Sequence, residues 1–129
     1  MSIPLIYLAA KYTEIHPYLI QRNIDRARLC AQEVALLGCC PMTPPLIGSH
    51  FEGIQDYLWW GEAYMNLLRR CDGVFMVPGY QNSNGAMKEL TEALRLEMPV
   101  FYSLTDLQDW INSQSPAPIT LPSFQSERS

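Results

Sequence analysis

Ser83, Gly85 and Glu89 fall where a short apolar run gives way to a stretch of helical spacing. Ser83 is placed to cap that helix, which leaves the following amides and the positive end of the dipole open to an anion or to sugar hydroxyls. Gly85 and Glu89 share a helix face, and helical side chains lean toward the N-terminus, so the Glu89 carboxylate projects over Gly85. The missing side chain leaves room for a substrate. Ala86 and Ala93 place Glu89 beside the buried stripe, so it is expected to be partly shielded, aimed at a pocket mouth and kept ionised by the helix-start dipole. Such a carboxylate can attack an anomeric carbon and hold a glycosyl ester, or stabilise an oxocarbenium-like transition state. The plainer alternative from spacing alone is a solvated Glu89 paired with Lys88 or Arg95.

The elements that must position these residues alternate along the chain. Residues 3–9 form an apolar run without helical period, as expected of a strand buried on both faces. Over 18–37, Ile20, Ile24, Ala27, Ala31, Val34 and Leu37 lie on one helical stripe, and Gly38 supplies the stop. Residues 39–42 read as a second strand and 43–53 as a loop carrying His50. Asp56 can cap a helix over 57–70, whose closing Arg69 and Arg70 suit the negative end of its dipole. A third strand spans 74–77, a turn-rich loop 78–83, a helix 84–97 and a fourth strand 99–102. Thr105 is a candidate cap for a last helix through Trp110.

This alternation predicts an α/β, flavodoxin-like or Rossmann-like three-layer sandwich, with a parallel sheet of four to five strands in the order 2-1-3-4(-5) and right-handed crossovers. The single domain is expected over 1–112, followed by a Ser/Pro-rich tail over 113–129. Ligands of such sheets bind beyond the carboxyl ends of the strands, near the switch point between strands one and three. Two loops therefore matter most, Ala9, Ala10, Lys11 and their successors after strand one, and the segment from Pro78 and Gly79 to Glu89 after strand three. The 43–53 loop flanks them.

Composition excludes several classes. In 129 residues acids outnumber bases 13 to 9, which disfavours binding to a nucleic-acid polymer. No stretch approaches the roughly 20 apolar residues of a membrane span, and the N-terminus lacks the basic region of a signal peptide, so a cytoplasmic protein is expected. Cys30, Cys39, Cys40 and Cys71 form no C-x-x-C pair and read as buried free thiols. Adjacent Cys39 and Cys40 on a strand would point to opposite faces, which argues against a zinc site with His50 and Cys71. No glycine fingerprint follows a strand, so neither a redox dinucleotide nor ATP hydrolysis is indicated, and neither cofactor nor metal is required. Low charge and the crowding of Tyr57, Trp59, Trp60 and Tyr64 predict some apolar surface in a homo-oligomer interface.

The run from Asn66 to Glu89, NLLRRCDGVFMVPGYQNSNGAMKE, resembles the nucleoside 2-deoxyribosyltransferase superfamily, in its uncharacterised bacterial and phage members. Ile6 to Ala10, Asn23 to Ala27, Gly38 to Pro41 and Pro99 to Tyr102 support the match, which spans about residues 3 to 102. The resemblance implies cleavage of the N-glycosidic bond of a nucleoside or nucleoside 5'-monophosphate, by hydrolysis or base exchange, with Glu89 as nucleophile. It implies that Ser83 contacts the substrate near its 5' end or assists the leaving base, and that Tyr7 and the loop behind it line the pocket. For a nucleotide substrate, Lys11, amides near Ser83 and Gly85, or a residue of another subunit would hold the phosphate. The superfamily usually carries an acid where this chain has Tyr64. Glu62 lies about 200 degrees around the helix from it. Either the acid role has moved, to Tyr64 or Glu52, or catalysis was lost, leaving an inactive nucleotide-binding or regulatory module of the same fold.

Other residues carry weaker signals. His50 can donate to a leaving base or bind phosphate, but a lone loop histidine is more often a packing residue. Trp59 and Trp60 face different ways on a helix, so at most one stacks directly on a base. Asp72 reads as structural, bonding amides at the helix-to-strand turn.

Overall fold

A computed structural model describes residues 2–47 and 53–114. Four strands, β1 (Leu5–Ala9), β2 (Cys40–Met42), β3 (Gly73–Met76) and β4 (Val100–Phe101), form one sheet in the order β2-β1-β3-β4. Every pairing is parallel, with Tyr7 opposite Met42 on one side and Val74 on the other. The helices are α1 (Pro17–Leu36), α2 (Pro44–Ile47), α3 (Tyr57–Arg69), α4 (Asn84–Arg95) and α5 (Leu104–Gln114). The fold is therefore the expected α/β Rossmann-like sandwich. No fifth strand occurs among the described residues.

Because β-strand side chains alternate, β1 feeds two cores. Ile6 and Leu8 pack with Ala31 and Val34 of α1, Phe75, Phe101 and Leu107 of α5. Tyr7 and Ala9 pack on the opposite face with Leu68 of α3 and with Ala86, Leu90 and Ala93 of α4. Helix α3 and helix α4 thus form one outer layer and α1 and α5 the other.

Local signals set most element ends. Pro17 sits in the first turn of α1, where its missing amide costs nothing. Gly38 at φ +95 ends α1, its amide donating to the Ala35 carbonyl at 2.9 Å. The Asp56 carboxylate accepts from the Trp59 amide at 2.8 Å and starts α3 as expected. Asp72 is structural, but it reaches further than its own turn: its carboxylate accepts from the Leu5 amide at 2.7 Å and its amide donates to the Leu5 carbonyl at 2.7 Å. That pair pins the start of β3 to the start of β1.

Four expectations are corrected. The 43–53 segment opens with the single turn of α2 before the described residues break off at 47. Helix α4 stops at Arg95, short of Glu97, which takes φ 57. Helix α5 is capped by Ser103, whose Oγ accepts from the Asp106 amide at 3.1 Å, so Thr105 lies inside the helix. Helix α5 also runs to Gln114, past its expected end at Trp110. The remainder of the expected tail lies outside the described residues. Among the described residues, no helix is long and apolar enough to cross a membrane.

Close approach of β3 to β4 requires a glycine at position 73. A Cβ there would sit 2.7 Å from Phe101 Cε2 and 3.2 Å from the Pro99 carbonyl oxygen, and the Phe101 ring is itself packed in the core. Gly73→Ala is expected to lower unfolding stability by about 1–3 kcal/mol, read as a reduced urea midpoint with unchanged slope.

Cys30, Cys39 and Cys71 are buried and Cys40 is exposed, all four as free thiols, which corrects the expectation that every thiol is buried. Burial pushes Cys71 up to about 11, and it also raises Cys30 and Cys39. A thiol-alkylating reagent is expected to label Cys40 in the native protein and the other three only after denaturation, as counted by peptide mass spectrometry.

Candidate active site

The carboxyl ends of β1 and β3 open into a cavity of about 1000 Å³. Its walls come from the end of β1 and the following loop (Ala10, Lys11, Glu14), from α3, and from the start of α4. This is the switch point of the sheet, where α1 leaves β1 toward β2 and the chain later returns on the other side to form β3.

Helix α4 is positioned as its sequence requires. Ser83 is its N-cap in extended conformation, and its Oγ accepts from the Ala86 amide at 3.1 Å. The amides of Asn84 and Gly85, in the first turn, have no intrahelical acceptor and border the cavity. A Cβ on Gly85 would find nothing nearer than Ser83 Oγ at 3.9 Å, so this face is open to a ligand.

Glu89 lies one turn further and also borders the cavity. Its Oε2 accepts a hydrogen bond from the Tyr7 hydroxyl. Tyr7 is fully buried in β1, where burial first and the Glu89 charge second push its phenol far above the usual range, so it remains a donor throughout the accessible pH scale. Glu89 is neither the surface residue paired with Lys88 or Arg95 nor the dipole-held carboxylate expected from the sequence. Burial raises it to about 7, against the lowering effect of the Tyr7 hydrogen bond. The helix dipole acts mainly on the first turn, and Glu89 is in the second, so desolvation prevails.

Helix α3 supplies a wall that spacing alone could have revealed. Tyr57, Trp60, Gly61, Tyr64 and Met65 follow the three-and-four rule and all border the cavity. Trp60 stacks on Tyr64 with ring centroids 5.5 Å apart and planes 30° apart. Trp59 meets Trp60 edge-on and lies outside the lining, so one of the adjacent tryptophans faces the cavity, as expected. The Tyr64 hydroxyl donates to the Pro44 carbonyl at 3.4 Å, which ties α3 to α2.

Arg69, first read only as a helix-end cation, also borders the cavity. Its Nε donates to Glu92 Oε2 at 2.9 Å, and its Nη1 lies 3.5 Å from Glu62. Glu92, shared by Arg95 and Arg69, is held down to about 2. This network clamps α3, which carries Tyr64, onto α4, which carries Glu89.

Other expected site residues fall elsewhere. Ala10, Lys11, Ser83, Gly85, Tyr64 and Glu89 border the cavity together, but Lys11 is already paired with Glu14 at 2.9 Å. Ala9 does not border it: the strand alternation turns Ala9 into the core, and its carbonyl accepts from the Val77 amide at 2.9 Å. Tyr7 stands behind Glu89 and outside the lining, acting on the cavity only through that carboxylate. Gly79 turns away at φ +98, facing Arg26 of α1. His50 and Glu52 lie outside the described residues. The loop after β1 is held by Asn23, buried in α1, whose Nδ2 donates to the Tyr12 carbonyl at 3.2 Å.

Residues 6–102 match the family described as a domain of unknown function, DUF4406. The chain belongs to this family. The DUF4406 segment begins in β1 next to Tyr7 and ends after β4, so it contains all of the sheet except Leu5 and all the cavity-lining residues named above. No curated protein matches the chain.

Proposed function

We propose that this protein cleaves the N-glycosidic bond of a nucleoside or nucleoside 5'-monophosphate, passing the sugar to water or to a second base. The observation that carries this reading is the buried Tyr7 hydroxyl bonded to Glu89 at the floor of an open, aromatic-walled cavity. Tyr7 commits Oε2 and fixes the carboxylate, while Oε1 has no protein donor among the described residues and is available to an anomeric carbon. The sugar fits over Gly85, and the base against Trp60 and Tyr64. The first-turn amides of α4 suit a 5'-hydroxyl or phosphate. Glu89 in its ionised form attacks the anomeric carbon or stabilises the oxocarbenium-like transition state, and water or another base completes the turnover.

The test is chromatography of free base after incubation with ribo- and deoxyribonucleosides and their 5'-monophosphates, beside Glu89→Ala. Base release by wild type alone is the expected outcome. A second reading, a nucleotide-binding or regulatory module without turnover, draws on Tyr64, whose hydroxyl is directed at the Pro44 carbonyl. It predicts saturable binding of a panel member with no product.

The same reading includes a homo-oligomer. Tyr57, Leu58 and Trp59 expose apolar side chains at the cavity mouth and along α3, a surface suited to contact with a second copy. Light scattering is expected to give a mass that is a multiple of the 14.7 kDa chain.

A further inference from the structure

The cavity that holds Glu89 does not end at the sugar site. Its volume of about 1000 Å³ already stands at the upper end for small-molecule sites, roughly 300–1,000 Å³. A shallower groove of about 460 Å³ lies beside it between α3 and α4, bordered by Met65, Asn84, Met87, Lys88, Thr91 and Glu92. Met65, Asn84 and Lys88 border both spaces, so a ligand that crosses the first turns of α4 passes from the cavity into the groove. The groove has a chemical order along α4. Lys88 stands one turn beyond Asn84, at the junction, and offers a point charge to a phosphate that follows the one on the first-turn amides. Met65 and Met87 add apolar, adaptable surface. Glu92 closes the far end, its side chain largely buried, and Arg95 and Arg69 keep it ionised from outside the groove's lining. A fixed carboxylate accepts hydrogen bonds from hydroxyls and opposes a further anion. Glu92 lies about 12 Å beyond Asn84 along the helix, the reach of a diphosphate followed by one ring.

We propose that the preferred substrates are nucleoside 5'-diphosphate esters, whose neutral, hydroxyl-bearing distal ring lies in the groove against Met65 and Met87 and donates hydrogen bonds to Glu92. This inference rests on the N-glycosidase reading of the same site: a sugar over Gly85 with its 5' end at the start of α4 directs the diphosphate past Asn84 and Lys88. The bond broken is unchanged. In the hydrolytic direction, water adds its hydroxyl to the anomeric carbon and its proton to the departing base, and the diphosphate ester stays intact. Contacts to the distal ring, far from the reacting atoms, favour the ester over the shorter monophosphate.

The experiment compares base release from the 5'-monophosphate, the 5'-diphosphohexose and the 5'-triphosphate of adenosine, guanosine, cytidine, uridine and thymidine. Wild type is expected to favour the diphosphohexose over the monophosphate by about tenfold or more in kcat/KM, with no such gain for the triphosphate. Thr91→Trp fills the groove from an exposed position on α4 that does not border the cavity. It is expected to bring the ester down to the level of the monophosphate and to leave cleavage of the monophosphate unchanged. Calorimetry on Glu89→Ala, with and without Thr91→Trp, makes the same comparison in affinity without turnover. Monophosphates cleaved as well as esters, triphosphates favoured as strongly as esters, or an ester preference that survives Thr91→Trp overturns the groove as a subsite and leaves the N-glycosidase reading standing. An ester preference in binding that Thr91→Trp abolishes, with no base release from any member, keeps the subsite and overturns the N-glycosidase reading. Neither release nor preference overturns both.

Discussion

Glu89→Gln is expected to lower base release by on the order of 10³-fold or more while making the protein more stable above pH 7. The two effects have one cause. Glu89 titrates at about 7 in the fold against 4.5 for the free side chain, because burial penalises its charge. Between these values the folded state holds a proton that the unfolded state has released. Stability tied to this group is therefore fully present below about pH 4.5 and lost as pH rises through about 7. The amide carries no charge and pays no such penalty. The difference in unfolding free energy between variant and wild type is expected to grow in the variant's favour by on the order of 2 kcal/mol across that window. Urea unfolding of both proteins at pH 4.5 and pH 8 measures it. A flat difference would mean that Glu89 is not held as a desolvated carboxylate. The same titration sets the activity: base release is expected to rise with pH and level off above about 7, since only the ionised form attacks carbon.

Such a costly carboxylate is a feature that the local sequence discloses only in part. Ser83, Gly85 and Glu89 lie within two turns of each other, so their shared face and the cap could be read from helix geometry, and the structure places all three as that geometry requires. The charge state of Glu89 could not be read that way. It depends on burial in the fold and on Tyr7, whose contact with Glu89 spans 82 positions in sequence. Only the pairing of β1 with β3, and the packing of α4 over both, brings those two residues together.

Element order was legible for the same reason that residue roles were not. Helical stripes such as Ile24, Ala27, Ala31 and Val34 are local patterns, and they place α1 correctly. Where the local pattern is silent, the reading slips. The end of α4 carries Glu97 in the left-handed region at φ 57, where a glycine would have marked the stop. Ala9 and Gly79 flank the right loops by position, yet strand alternation buries the first and a turn sends the second toward Arg26. Of the α3 wall, the sequence marks only one tryptophan and Tyr64 as facing a ligand, because Tyr57, Gly61 and Met65, taken singly, are those of any amphipathic helix. Only the site opposite gives the face a purpose.

Tyr7→Phe separates a positioning role from a packing role. The substitution keeps the ring in the β1 core and removes only the hydroxyl that donates to Glu89. That hydrogen bond favours the ionised carboxylate, so its loss leaves burial unopposed and moves Glu89 further upward from about 7. The rising limb of the activity profile is expected to shift to higher pH, with residual base release recovered by raising the pH and the remaining loss reflecting a carboxylate no longer held in place. Stability should fall by about 1.5–3 kcal/mol at pH 8, where the lost bond was to a charged group, and by less at pH 5, where Glu89 is protonated in the fold. A Tyr7 that merely fills space would lower expression or stability evenly and leave the pH limb where it was. A displaced limb together with a pH-dependent stability loss would identify the phenol as the group that holds Glu89 ionised and in position.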